Sequence, residues 1–201
     1  MKFQLLTAAF AASAAAAPSL RIRQTNSTSS TIGDNEPFGL VAIRSGSSLQ
    51  YSSFTAAENS ILLDLPSQNA TCASDTANYA TFYLSGGALY LWTPSNVTQE
   101  LYTDRSGMGQ GVLQYSTTPG GYQPGRNSET TGWQIDEAGD LAFDGASFIA
   151  CPDSIDGAWS IWVSAGVPNP GGNSNCVAVA ARAISGAPSG ACTYTYTPIT
   201  A

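Results

Sequence analysis

At 201 residues the chain can build one domain with a real core and is short for two. Only 10% of its residues are charged while Ser and Thr together number 44, so its solubility rests on hydroxyls, amides and glycans more than on ions. The absence of any histidine excludes Ser-His-Asp triads, Cys-His dyads and histidine-held metals, and seven basic against fourteen acidic residues argue against nucleic acid and against an anionic membrane surface.

In chain order, Met1-Lys2 and the Ala-rich apolar run behind them have the charged start, short hydrophobic region and small-residue exit of a secretory signal peptide, placed at residues 1–16. Residues 17–37 are polar, rich in Ser and Thr and nearly free of aromatics, which describes a flexible arm. Within the arm, Arg21-Ile22-Arg23 is either a second processing point or a solvated basic patch. The folded domain is expected over residues 38–201, and no later segment is apolar enough to cross a membrane as a helix.

From Phe38 onward, short apolar alternations are broken by Gly, Pro, Asn and Ser every 8 to 12 residues or so, which predicts an all-β domain. Val177 to Ile184 comes nearest to a helix candidate and reads better as a buried strand beside Cys176. A weak repeat covers residues 38–51, 82–91 and 133–143, each running from an aromatic residue through a turn to a small-x-Leu-x-apolar pattern. Read as three hairpins, the repeat favours a β-trefoil, with a β-sandwich or barrel as the alternative.

Secretion favours disulfides over metal thiolates for Cys72, Cys151, Cys176 and Cys192, which contain no C-x-x-C. Three pairings are possible; Cys72 with Cys151 and Cys176 with Cys192 is the one expected here. Asn26, Asn69 and Asn96 each open an N-x-Ser/Thr sequon and should lie at the surface.

No residue is assigned to catalysis, a metal or a cofactor. The acidic group Asp136, Glu137, Asp140 and Asp144 matches neither a calcium loop nor a spaced catalytic pair, and reads as the solvated turn of the third hairpin. Asp104-Arg105-Ser106-Gly107-Met108-Gly109-Gln110-Gly111 has alternate glycines without a phosphate-loop pattern, so it reads as a tight loop tied down by Asp104 and Arg105. Aromatic residues raise one binding hypothesis, since sugar rings stack on exposed indole and phenol faces. In residues 157–163, period-two alternation sends Trp159, Ile161 and Val163 inward and Trp162 to the opposite face. Trp162 and Trp92 are therefore the candidate glycan contacts, with Tyr90, Tyr102, Tyr115 and Tyr122 as companions.

Several uncommon blocks fall in one order: Phe38-Gly39-Leu40-Val41-Ala42-Ile43, Ser67-Gln68-Asn69-Ala70-Thr71-Cys72, Ala80-Thr81-Phe82-Tyr83, the segment 104–111, Gly132-Trp133-Gln134-Ile135-Asp136, Ala150-Cys151-Pro152 and residues 157–162. Together they resemble the PhiA family of fungal cell-wall proteins, from Phe38 to about Arg182. The resemblance implies a secreted wall glycoprotein, non-enzymatic, that supports phialide and conidium development and wall integrity, with wall polysaccharide or other wall proteins as partners. A fainter likeness joins the Trp133 block and the cysteine after it to the C-terminal domain of PIR wall proteins, whose glutamine-containing linkage repeat has no match here. The alternative function is a lectin-like module that binds wall polysaccharide through surface aromatics.

Overall fold

The computed structural model describes residues 32–73, 78–186 and 190–199. The signal peptide, Asn26, Arg21-Ile22-Arg23 and the arm up to residue 31 lie outside the described residues. Fourteen strands follow in order among the described residues: β1 (Phe38–Ile43), β2 (Phe54–Ala57), β3 (Ser60–Leu63), β4 (Thr71–Cys72), β5 (Thr81–Ser85), β6 (Ala88–Leu91), β7 (Thr98–Asp104), β8 (Val112–Thr118), β9 (Trp133–Ile135), β10 (Asp140–Phe143), β11 (Phe148–Cys151), β12 (Trp159–Val163), β13 (Val177–Ser185) and β14 (Cys192–Thr193). Helix is limited there to two single 3-10 turns, so the expectation of an all-β chain holds.

Every strand pairing is antiparallel, and twelve strands form one continuous sheet. Three antiparallel pairs, β5–β6, β9–β10 and β13–β1, stand around the core. They are joined to one another by β1–β5, by β10–β13, and by a bridge between Ala88 and Thr131 where the Gly132 and Trp133 amides donate to the Gly87 carbonyl. Three further hairpins, β2–β3, β7–β8 and β11–β12, meet through their second strands, with Ser60 opposite Gln114, Trp162 opposite Val112 and Trp159 opposite Leu63.

The alternation read from the sequence explains the burial. In β1, Phe38, Leu40 and Ala42 point inward and their neighbours outward; β13 alternates the same way through Val179 and Ala181, so it is half-buried and its outward side carries Arg182. Inside, aromatic rings follow one another: Trp133 meets Phe143 edge-on at 4.7 Å and stacks on Phe148 at 6.3 Å, and Phe148 meets Phe54 edge-on at 6.4 Å. Such pairs add roughly 0.5–1.5 kcal/mol each beyond the area they bury.

Two of the three repeats are the expected hairpins, β5–β6 and β9–β10. The first is reduced to a short return. After β1 the chain makes turns in which Leu49 drops fully into the core, the Tyr51 amide donates to the Ala42 carbonyl, the Ala42 amide donates to the Ser52 carbonyl and Val41 bridges Ser53. The long pairing of β1, over six residues, is with β13 from the far end of the chain. The last residues before β1 are fastened down: the Asn35 amide donates to the Leu84 carbonyl, and Asp34 Oδ2 accepts from the Gly86 amide.

The expected cysteine pairing is corrected. Cys72 bonds to Cys192 and Cys151 to Cys176. Strand register decides this, since β4 and β14 place Cys72 opposite Cys192, and the β11–β13 register that sets Ala150 opposite Val177 brings the next residues, Cys151 and Cys176, together. The 16-residue spacing of Cys176 and Cys192 counts for nothing because β13 runs between them.

Candidate functional site

The acidic group is used structurally. Asp136 Oδ1 accepts from the Ala138 and Asp140 amides and so forms the turn between β9 and β10. Asp140 pairs with Arg182 at 2.6 Å across the β10–β13 register. Asp144 is drawn away to Arg105 at 2.8 Å. Arg105 also makes a two-pronged bond to Glu129, through Nε at 2.9 Å and Nη2 at 2.5 Å, and its guanidinium lies 4.6 Å from the centre of the Phe143 ring. One cation thus ties the loop after β7, the segment before β9 and the turn after β10, which is the loop-fastening role expected of Arg105. Glu129 had no signal in the sequence; it lies 24 residues away and is brought in by the Thr103–Glu129 bridge. Gly111 closes the same segment at φ +94°, where an added β-carbon would stand 1.9 Å from the Val163 carbonyl oxygen.

These contacts set the pH response. The Arg105 guanidinium holds the Glu129 carboxyl below its ordinary range. Its contribution to stability is complete above the unfolded value of 4.5 and is lost as pH falls through the lower folded value. At the other end, burial pushes the Tyr102 and Tyr194 phenols up to about 12 and Tyr115 further still. Those groups stabilise the fold below the unfolded tyrosine value of 10.0, and the contribution is lost as pH rises through the folded values. With no histidine to titrate between, melting temperature should be flat from roughly pH 6 to 9 and fall on both sides. Melts of the protein and of Glu129→Gln across pH check this; an acid limb unchanged in the variant would refute the role given to Glu129.

The aromatic candidates separate on burial. Tyr115 is fully buried with its hydroxyl on the Thr195 carbonyl, and Tyr102 is buried with its hydroxyl on Gln114 Oε1, so both are removed from the list of surface companions. Tyr122 is exposed. Tyr90 is half-buried in a strip in which the Tyr83 and Tyr90 rings stack at 5.0 Å and Trp92 meets Tyr83 edge-on at 5.5 Å. This strip spends ring faces on itself. Trp159 is half-buried against the core, as the alternation predicted, and Trp162 lies on the opposite side of β12.

Trp162 sits in a cleft of about 380 Å³ bounded by β3, β8, β12 and the loop before β13. Its Nε1 donates to Ser160 Oγ at 3.0 Å, two residues back on the same face of β12, which lays the indole along the strand. Gly171, at φ +67°, touches its far edge: a β-carbon there would be 2.5 Å from Cη2. Gln114, Asp153, Ser154 and Asn173 stand around it. Trp162 was legible from alternation; its polar neighbours come from distant loops and carried no sequence signal.

Of the sequons, Asn69 and Asn96 are both exposed, Asn96 in the turn between β6 and β7 where the Val97 amide donates to the Pro94 carbonyl. Among the described residues, no group of three or more metal-ligating side chains comes together.

The fold and the cystines define a disulfide-closed, all-β protein of the secretory route. The chain matches the PhiA-like secreted protein family over residues 38–195, and it belongs to that family. It is 58% identical over 159 residues to the cell wall protein phiA of Emericella nidulans, covering 79% of this chain and 86% of that relative. The cell wall protein phiA of Aspergillus fumigatus is 52% identical over 162 residues, 80% of this chain and 86% of its own length, and that of Arthroderma benhamiae is 39% identical over 149 residues, 71% of this chain and 78% of its own. The chain is a secreted protein of the fungal cell wall. No solved structure matches it.

Proposed function

We propose that this chain is a non-enzymatic structural glycoprotein of the wall that supports phialide and conidium development and wall integrity. The observation that carries the non-enzymatic part is the use of the densest acidic group and its neighbour Glu129: Glu129 and Asp144 are spent on Arg105, Asp140 on Arg182, and Asp136 on its own turn. A catalytic acid or base needs a proton free to transfer and a substrate beside it. Exposed Asn69 and Asn96 support the glycoprotein reading. The domain itself reads as a β-trefoil, with β5–β6, β9–β10 and β13–β1 as the barrel pairs and β2–β3, β7–β8 and β11–β12 as the caps; the cyclic joining of both sets supports this. Fractionation of tagged protein, with deletion of its gene, tests the function. Protein in the wall and defective conidiation with wall-stress sensitivity are expected; normal spores and normal stress resistance would overturn the developmental role.

A second reading is favoured by the Trp162 cleft: the domain also holds wall polysaccharide non-covalently, as a lectin-like module. Retention of the purified protein on insoluble glucan, chitin or mannan tests that reading.

A further inference from the structure

We infer that the cleft beside Trp162 seats one pyranose ring of a neutral, equatorially substituted wall polysaccharide, a glucan or chitin; this rests on the lectin-like reading above. The volume, about 380 Å³, falls in the range of about 300–1,000 Å³ usual for small-ligand sites. The chemistry of the lining selects the ligand. One half-buried indole supplies an apolar surface, while Gln114 through Nε2, Asn173 through Oδ1 and Ser154 through its hydroxyl supply polar groups beside it, the pattern of an apolar wall with a few orienting polar groups. No Lys or Arg lines the cleft and Asp153 does, so an anionic polymer would meet repulsion with no compensating cation. A β-linked glucose or N-acetylglucosamine ring carries its substituents equatorially and presents a flat C–H face to an indole; mannose interrupts one face with an axial hydroxyl.

The cleft is preorganised. Ser160 fixes the indole through Nε1, and Gly171 abuts its far edge while donating its amide to Gln110 Oε1 at 2.8 Å. The loop that carries Gly171 and Asn173 is held at 2.7 Å by Asn173 Nδ2 on the Pro170 carbonyl, and it ends at Cys176, bonded to Cys151 of β11. A fixed aromatic wall lowers the ordering cost of binding. Trp92 lies outside this cleft, beside the stacked pair Tyr83 and Tyr90, where it meets Tyr83 at right angles.

Depletion binding of the full secreted chain to particles of β-1,3-glucan, chitin and mannan, with melting curves alongside, tests the assignment. Retention on glucan or chitin is expected, at least tenfold weaker in Trp162→Ala, intermediate in Trp162→Phe and within twofold of wild type in Trp92→Ala. Gly171→Ala keeps the indole but displaces it and should lose as much as Trp162→Ala. If wild type binds glucan or chitin while Trp162→Ala and Gly171→Ala bind equally well, the cleft is the wrong place although the lectin-like reading stands. Retention on mannan alone overturns the ligand class, and no retention on any particle overturns both the reading and the site.

Discussion

Replacing Cys72 and Cys192 together by Ser should lower the melting temperature by roughly 10–20 °C, and replacing Cys151 and Cys176 should lower it less. The first bond closes a separation of 120 residues and the second one of 25. In the chain-entropy view those loops are worth about 5 and about 3.5 kcal/mol. The 120-residue bond also anchors the C-terminal strap. Beyond Cys192, Tyr194 is buried with its hydroxyl accepting the Thr81 amide, Thr195 Oγ1 accepts the Glu58 amide, Asn59 Oδ1 accepts the Thr197 amide, and the Ile199 amide reaches the Gly120 carbonyl. Freed at Cys192, the strap loses the covalent tie that holds these contacts in register. Few ion pairs compensate, and exposed ones are worth about 0–1 kcal/mol each. Differential scanning calorimetry of the two double variants measures the difference. Equal melts, or a greater loss at Cys151–Cys176, would refute the argument.

Gln99→Leu should cost about 3–5 kcal/mol although the replacement is close in size and the position is fully buried. The Gln99 side chain acts as a length of strand: Oε1 accepts the Tyr194 amide at 2.9 Å, and Nε2 donates to the Tyr194 carbonyl and to Thr117 Oγ1, both at 2.9 Å. Leucine leaves a buried amide and a buried carbonyl without partners, at roughly 1–3 kcal/mol for each. Thr117→Val removes one of those bonds and spares the Tyr194 backbone, so its loss should be a fraction of that. Denaturant melts of both variants, with hydrogen exchange at the Tyr194 amide, test this. Protection of that amide unchanged in Gln99→Leu would show that Gln99 does not hold the strap.

Gln99 also marks where sequence reading stops. Period-two alternation set Trp162 opposite Trp159, Ile161 and Val163, and the same alternation buries Phe38, Leu40 and Ala42 in β1, because side chains on a strand alternate whatever the strand pairs with. A polar Gln on an inward position breaks that rule, and only its partner 95 residues away explains it. The Arg105 loop was legible from its glycines and its adjacent charge pair, while Glu129 and Asp144 were not, because ion pairing follows spatial neighbours.

By itself the sequence determined the strand-rich class, the exclusion of histidine chemistry, and the order of blocks that places the chain among secreted wall proteins. These are local or compositional properties, set by residue type and by repeats a few residues long. Strand partners were decided only by the tertiary structure. It gave β1 its long pairing with β13 and left only the Val41–Ser53 bridge and its flanking bonds to the downstream turn, and through β4–β14 and β11–β13 it chose Cys72–Cys192 and Cys151–Cys176 over the expected pairing. It also gathered Gln114, Asp153 and Asn173 around Trp162. Antiparallel register is a choice among long-range partners made by the whole packed core, and no window of a few residues contains it.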